Sequence, residues 1–81
     1  MTQVAQGVRE VLAHVLNRTP DEIDLGMRII ELPGMDSLHL VEAVTVAEAR
    51  WGVKFDEDDL FDVRTGHDLC ALIQQTAEDP S

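Results

Sequence analysis

Ser37 is the residue with the clearest chemical use in this chain. It stands in Gly34-Met35-Asp36-Ser37-Leu38, behind a Pro33-Gly34 turn and at the front of the longest uninterrupted helical pattern. Asp and Ser are residue types that stop a helix fraying at its first turn, because their side-chain oxygens accept from backbone amides that lack an intrahelical partner. The spacing therefore places the hydroxyl at an exposed, electropositive helix terminus. Another protein's active site can reach it there, and an attached phosphate would be favoured by the helix dipole. That makes it a site for being modified.

Other chemistry fits these residues poorly. A hydrolase nucleophile elbow needs Gly-x-Ser-x-Gly between a strand and a helix, but Gly34 stands three before Ser37 and His39 stands two after it. At helical spacing His39 lies about 160° around the axis from Ser37, which is the wrong side for a base. His14 and His67 read as surface histidines. The three histidines and Cys70 have no metal-ligand spacing, and Cys70 reads as a small packing residue beside the core stripe of the last helix. The acids Asp56 to Asp59, with Asp62 beyond, lack the glycine and terminal glutamate of a calcium loop, so they read as a solvated helix start and a surface for basic partners. No catalytic residue and no resident metal are expected.

Composition sets the scale of the structure that must position the serine. Eighty-one residues allow one small domain, 1–81, with a single core and no room for a deep active site. The 44% hydrophobic content is enough for it to fold. Sixteen acidic against six basic residues give a net charge of −10, which repels nucleic acid and anionic membranes and attracts basic protein surfaces. One cysteine cannot form an internal disulfide, and no leader pattern or membrane-length apolar run is present. A cytoplasmic, monomeric protein is the expectation.

Hydrophobic spacing predicts an all-α bundle of three longer helices plus one or two short ones. Val4, Val8, Val11, Leu12 and Val15 form one stripe, predicting a first helix over about 3–16, with Thr2 as cap, Asn17 as stop and Gly7 on the polar side. Between Asn17 and Asp36 the period disappears. Thr19-Pro20-Asp21-Glu22 has the pattern of a capping box and predicts one helical turn. Ile23, Leu25, Met27, Ile29, Ile30 and Leu32 are then needed to pin the loop. The second long helix should run from Ser37 to Trp51 and end at Gly52. Asp56 should cap a short acidic helix after the extended Val53 and Phe55. Thr65 with Asp68 marks the start of the last helix, which carries Leu69, Leu72, Ile73 and Thr76 until Asp79-Pro80.

The second helix sorts onto two faces. Leu40, Ala43, Val44, Ala47 and Trp51 form the natural core stripe, while Leu38, Val41, Thr45 and Glu48 lie on the adjacent sector. Leu38 and Val41 either widen the core stripe or make an exposed docking strip beside the serine. Ala43 and Ala47 either let a neighbouring helix approach closely or leave room for part of an apolar chain beneath Ser37.

These residues together resemble the acyl carrier protein family. The likeness rests on Asp36-Ser37-Leu38 after Gly34, the helix closing in Trp51-Gly52-Val53, the Phe55-Asp56 step into a short acidic helix, and a last helix starting near Gly66. It covers nearly the whole chain. The resemblance implies a 4'-phosphopantetheine arm on Ser37, transferred from coenzyme A, whose terminal thiol holds acyl groups as thioesters. Asp36 would help a phosphopantetheinyl transferase and its magnesium engage the serine, magnesium being needed only for that transfer. Leu38, Val41, Glu42, Thr45 and Glu48 would form the recognition face for the transferase, an acyl-loading enzyme, and a ketosynthase or other acyl-processing enzymes with basic surfaces. His39 and Arg50 stand where fatty-acid carriers commonly have acids, and Ala49 adds no charge, which points to polyketide or other specialised acyl biosynthesis. Alternatives are a peptidyl carrier, or an unmodified acidic adaptor in which Ser37 is only a helix cap.

Overall fold

A computed structural model describes residues 2–78. Its first helix, α1 (Thr2–Leu16), buries Val8, Val11, Leu12 and Val15 and stops where Asn17 turns left-handed at φ 57°. Arg18 N–H then reaches back to the Ala13 carbonyl at 2.8 Å, satisfying one orphan acceptor of the helix end. The proposed Thr2 cap and the Asp79-Pro80 stop lie outside the described side chains and residues.

Gly7 is not on a polar face. It is buried, and a Cβ there would sit 2.5 Å from Cζ2 of Trp51. The helix contacts the second long helix on one side and the last helix on another, so its buried arc is wider than the valine-leucine stripe and takes in Gly7 and Ala13 as well.

The segment from 17 to 36 is held by local caps and by tertiary pins. A 3₁₀ turn at Pro20–Glu22 forms as expected, with the Glu22 carboxylate accepting from Thr19 N–H at 3.1 Å. Ile23, Leu25, Ile29 and Leu32 are buried, whereas Met27 and Ile30 remain largely outside the core. A second 3₁₀ turn at Ile29–Glu31 has no sequence signature. It is fixed from outside: Ile29 N–H donates to the Arg64 carbonyl at 2.8 Å, Arg28 and Thr65 form an isolated antiparallel bridge, and His67 N–H donates to the Leu25 carbonyl at 3.0 Å. Gly66 makes this docking feasible, because a Cβ there would meet the Leu25 Cα at 2.9 Å.

The second long helix, α2 (Ser37–Trp51), ends at Gly52 with φ 65°, and Gly52 and Val53 N–H both donate to the Glu48 carbonyl. Then α3 (Glu57–Phe61) follows Asp56 with its acids in the first turn, although the Asp56 side chain makes no capping hydrogen bond. The last helix, α4 (Gly66–Glu78), begins in a reciprocal cap. Thr65 Oγ1 accepts from Asp68 N–H at 3.2 Å, while the Asp68 carboxylate accepts from the N–H groups of Thr65 and Arg64. Arg50 Nη2 bonds Glu10 Oε1 at 2.6 Å and its guanidinium lies 5.3 Å from the Trp51 ring centroid, tying the C-terminal end of α2 to α1. The architecture is the expected all-α bundle, with α1, α2 and α4 as the longer helices and no strand among the described residues.

Candidate functional site

The front of α2 is delivered by a tight turn anchored in the core. Leu32 is buried, Met35 N–H donates to its carbonyl at 2.9 Å, and Gly34 takes φ 85° at the third position of the turn behind Pro33. Pro at the second position and a left-handed Gly at the third define a type II turn. The chain then extends through Asp36 (φ −147°, ψ −176°) and enters the helix at Ser37.

Asp36, not Ser37, is the cap. Its Oδ1 accepts from His39 N–H at 2.8 Å, which satisfies the orphan donor that a capping serine would have taken. Ser37 is the first helical residue and is exposed, and its hydroxyl makes no hydrogen bond among the described residues. Capping therefore does not account for a serine at this position.

His39 is also in the site, through Asp36 and not through Ser37. Its Nδ1 lies 2.7 Å from the same Asp36 Oδ1. It does not approach Ser37 as a base. The His39 N–H first, then its imidazole, and last the Leu38 N–H hold the Asp36 carboxyl below the usual carboxylate range, against a small opposing effect of burial. A negative charge thus persists at the positive end of α2, directly beside the exposed hydroxyl.

The strip that follows is mixed. Leu38 and Val41 are 80% and 64% exposed, so they stand outside the core stripe and flank the serine as an apolar surface. Glu42 and Thr45 are exposed beside them, Thr45 with its hydroxyl donating to the Val41 carbonyl at 3.0 Å. Glu48 differs from these. It is half-buried, and its carboxylate accepts from Phe55 N–H at 2.8 Å, clamping the chain after α2.

On the inner side, Ala43 and Ala47 are both fully buried. Both pack in the core cluster, and Ala43 in addition lines an apolar cavity of about 220 Å³ bounded also by Ile29, Leu40, Val44, Leu60 and Leu69. Val41 and Thr45 reach its wall, so the cavity lies under the same helix that presents Ser37.

The remaining candidates sit apart from the serine or are otherwise committed. His14 and His67 are exposed. Cys70 is buried, and loss of hydration pushes its thiol pKa up, which makes it a poor nucleophile. Asp56 to Asp59 and Asp62 are exposed, and among the described residues no cluster of His, Cys, Asp and Glu is arranged to hold a metal ion. No described helix is long and apolar enough to cross a membrane.

A family model described as a phosphopantetheine attachment site matches residues 6–73. The meromycolate extension acyl carrier protein of Mycobacterium tuberculosis is 31% identical over 77 residues, covering 95% of this chain and 67% of the relative. The anthracycline acyl carrier protein DpsG of Streptomyces peucetius is 33% identical over 70 residues, covering 84% of this chain and 83% of the relative. The anthracycline acyl carrier protein DauA of a Streptomyces species is 31% identical over the same share of each chain. With a phosphopantetheine attachment model matched along most of its length and named acyl carrier proteins similar over 84–95% of it, the chain belongs to the acyl carrier protein family and has an acyl carrier role.

Proposed function

We propose that Ser37 carries the 4'-phosphopantetheine arm and that acyl intermediates ride on the arm's thiol as thioesters. The observation that carries this reading is the division of labour at the helix front: Asp36 performs the cap, leaving the Ser37 hydroxyl exposed and unengaged. Ser37 is also the only serine within the matched residues 6–73. The residues present fit the group, since a phosphodiester at Ser37 would meet the positive end of α2. The chemistry of the arm is thioester exchange at its thiol. The protein supplies attachment, access and recognition, and the bond-making belongs to its partner enzymes.

The first of these is a phosphopantetheinyl transferase using coenzyme A, with magnesium engaged beside Asp36 during transfer only. Acyl-loading and acyl-processing enzymes such as a ketosynthase then dock on Leu38, Val41, Glu42, Thr45 and Glu48. Two exposed apolar side chains set among acids suit a weak, steered encounter with a basic rim, from which the carrier can leave again. The net charge of −10 has the sign this requires. The carrier works as one cytoplasmic domain and a monomer. Its cargo belongs to polyketide or other specialised acyl assembly: relatives include carriers named for meromycolate extension and for anthracyclines, and in this chain His39 and Arg50 interrupt the acidic surface. The test is to load the arm with a short acyl group and map the modified peptide. The acyl-phosphopantetheinyl mass should sit on Ser37, and neutral hydroxylamine should release the acyl group. An acyl group resistant to hydroxylamine, or one mapped elsewhere, would contradict the proposal.

A further inference from the structure

Both bonds that His39 makes to Asp36 end on one oxygen. Oδ1 accepts the backbone N–H at 2.8 Å and approaches the ring Nδ1 at 2.7 Å, while Oδ2 makes no hydrogen bond among the described residues. A carboxylate only accepts, so Nδ1 must carry the proton in this contact. Helix capping is complete with the backbone bond alone. The imidazole is 40% exposed and the carboxyl 59%, an ion-pair setting that adds little to stability. The ring contact is therefore poorly explained by the fold.

Its geometric effect is specific. A capping aspartate held by one donor can still rock about its side-chain torsions and exchange its oxygens. With two donors from His39 converging on Oδ1, the carboxylate is fixed and Oδ2 is the oxygen left to an incoming group, one residue from Ser37. We propose that His39 is a positioning residue for the loading of Ser37, its imidazole holding Asp36 by Oδ1 so that Oδ2 is presented to the transferase and its magnesium ion. This rests on the reading of Ser37 as the attachment point. Fixing the carboxylate in advance removes an ordering cost from the encounter, which corresponds to about a two- to tenfold gain in apparent affinity for one immobilised side chain.

His39→Ala and His39→Asn separate the ring's donor from the backbone bond. Asn places an N–H donor near the position of Nδ1, whereas Ala has none and is a better helix former. Three-bond couplings across the Asp36 Cα–Cβ bond should report one dominant rotamer in the wild type and in His39→Asn, and a smaller population of that rotamer in His39→Ala, where only the backbone bond remains. In phosphopantetheinyl transfer from coenzyme A, His39→Ala should raise the half-saturating magnesium concentration by about two- to tenfold with kcat retained at saturating magnesium, and His39→Asn should restore most of it. Melting curves should show both variants folded. An Asp36 rotamer indifferent to the ring, or a magnesium dependence of His39→Ala equal to that of the wild type, overturns the proposal while leaving Ser37 as the site. Failure of the carrier reading itself looks different, because then the wild type takes no arm at any magnesium concentration.

Discussion

Loading Ser37 with acyl chains of increasing length should raise the melting temperature of the protein until the cavity under α2 is full. The cavity holds about 220 Å³ and is walled by Ile29, Leu40, Val41, Ala43, Val44, Leu60 and Leu69, with few polar atoms among them. Apolar cavities of about 150 Å³ take up a benzene-sized group, so this one accommodates roughly six to eight carbons. Burying each methylene is worth about 0.8 kcal/mol. Ordering the chain's torsions offsets about 0.5 kcal/mol of that per carbon, on the scale of side-chain entropies of up to about 2 kcal/mol for a four-torsion chain. The net gain at saturation is then about 2 kcal/mol, or about 8–16 °C for a domain of this size. The assay compares melting curves of the unacylated arm with chains of two, four, six, eight and ten carbons. Amide resonances of Ala43, Val44 and Leu69 should move in step with the melting temperature, while Ala47, which does not line the cavity, serves as the internal control. Val44→Phe, which fills the space from its wall, should abolish the length dependence and leave loading of Ser37 intact. A melting temperature independent of chain length in the wild type, with the Ala43 and Leu69 resonances unmoved, would mean that the cargo stays in solvent.

Gly66→Ala should destabilise by about 1–3 kcal/mol, because a Cβ placed 2.9 Å from the Leu25 Cα must push backbone and strain the His67–Leu25 bond, outweighing a helix-propensity gain of at most about 1 kcal/mol. A melting temperature at or above wild type would refute that packing. Glu42→Lys should slow transferase association with stability unchanged, and added salt should shrink the difference. Glu48→Lys should do the same and also melt earlier, since its carboxylate clamps Phe55 N–H; equal melting of both variants would remove that distinction. Asp68 has its pKa lowered chiefly by the Thr65 and Arg64 N–H groups, so its contribution to stability is present above the unfolded carboxylate pKa and is lost as pH falls through the lower folded value. The stability gap between wild type and Asp68→Asn should therefore narrow from about pH 5 downwards, a comparison in which the general relief of charge repulsion on a chain of net charge −10 cancels. A gap that stays constant with pH would show that the cap does not depend on the charge.

Much of this fold is legible because local chemistry writes it. Asn17, Gly52 and the Thr65–Asp68 pair each mark a helix boundary with a side chain or a left-handed backbone, and the boundaries fall where those residues stand. The 3₁₀ turn at Ile29–Glu31 is not legible, since what holds it in place is the bond from Ile29 N–H to Arg64 and the Arg28–Thr65 bridge, in a segment distant along the chain. The burial of Gly7 is not legible for a related reason: a residue without a side chain carries no hydropathy signal, and its burial is decided by Trp51 on another helix. At the candidate site, sequence placed Asp36 and Ser37 at the front of α2, where they stand. It did not assign the cap between Asp36 and Ser37, because both types accept from the same amides. The link from His39 to Asp36 does not show in the relation of the histidine to Ser37, which lies on the other side of the helix. The i to i+3 spacing from Asp36 to His39 was the signal available.

The central claim, that Ser37 is the attachment point for the arm, is tested most directly by intact mass. Wild type and Ser37→Ala are incubated with coenzyme A, magnesium and a broad-specificity phosphopantetheinyl transferase, beside a control carrier known to accept the arm. One phosphopantetheinyl unit should add to the wild type and none to Ser37→Ala. An unchanged wild-type mass while the control is modified, or an adduct that persists on Ser37→Ala, would contradict the account.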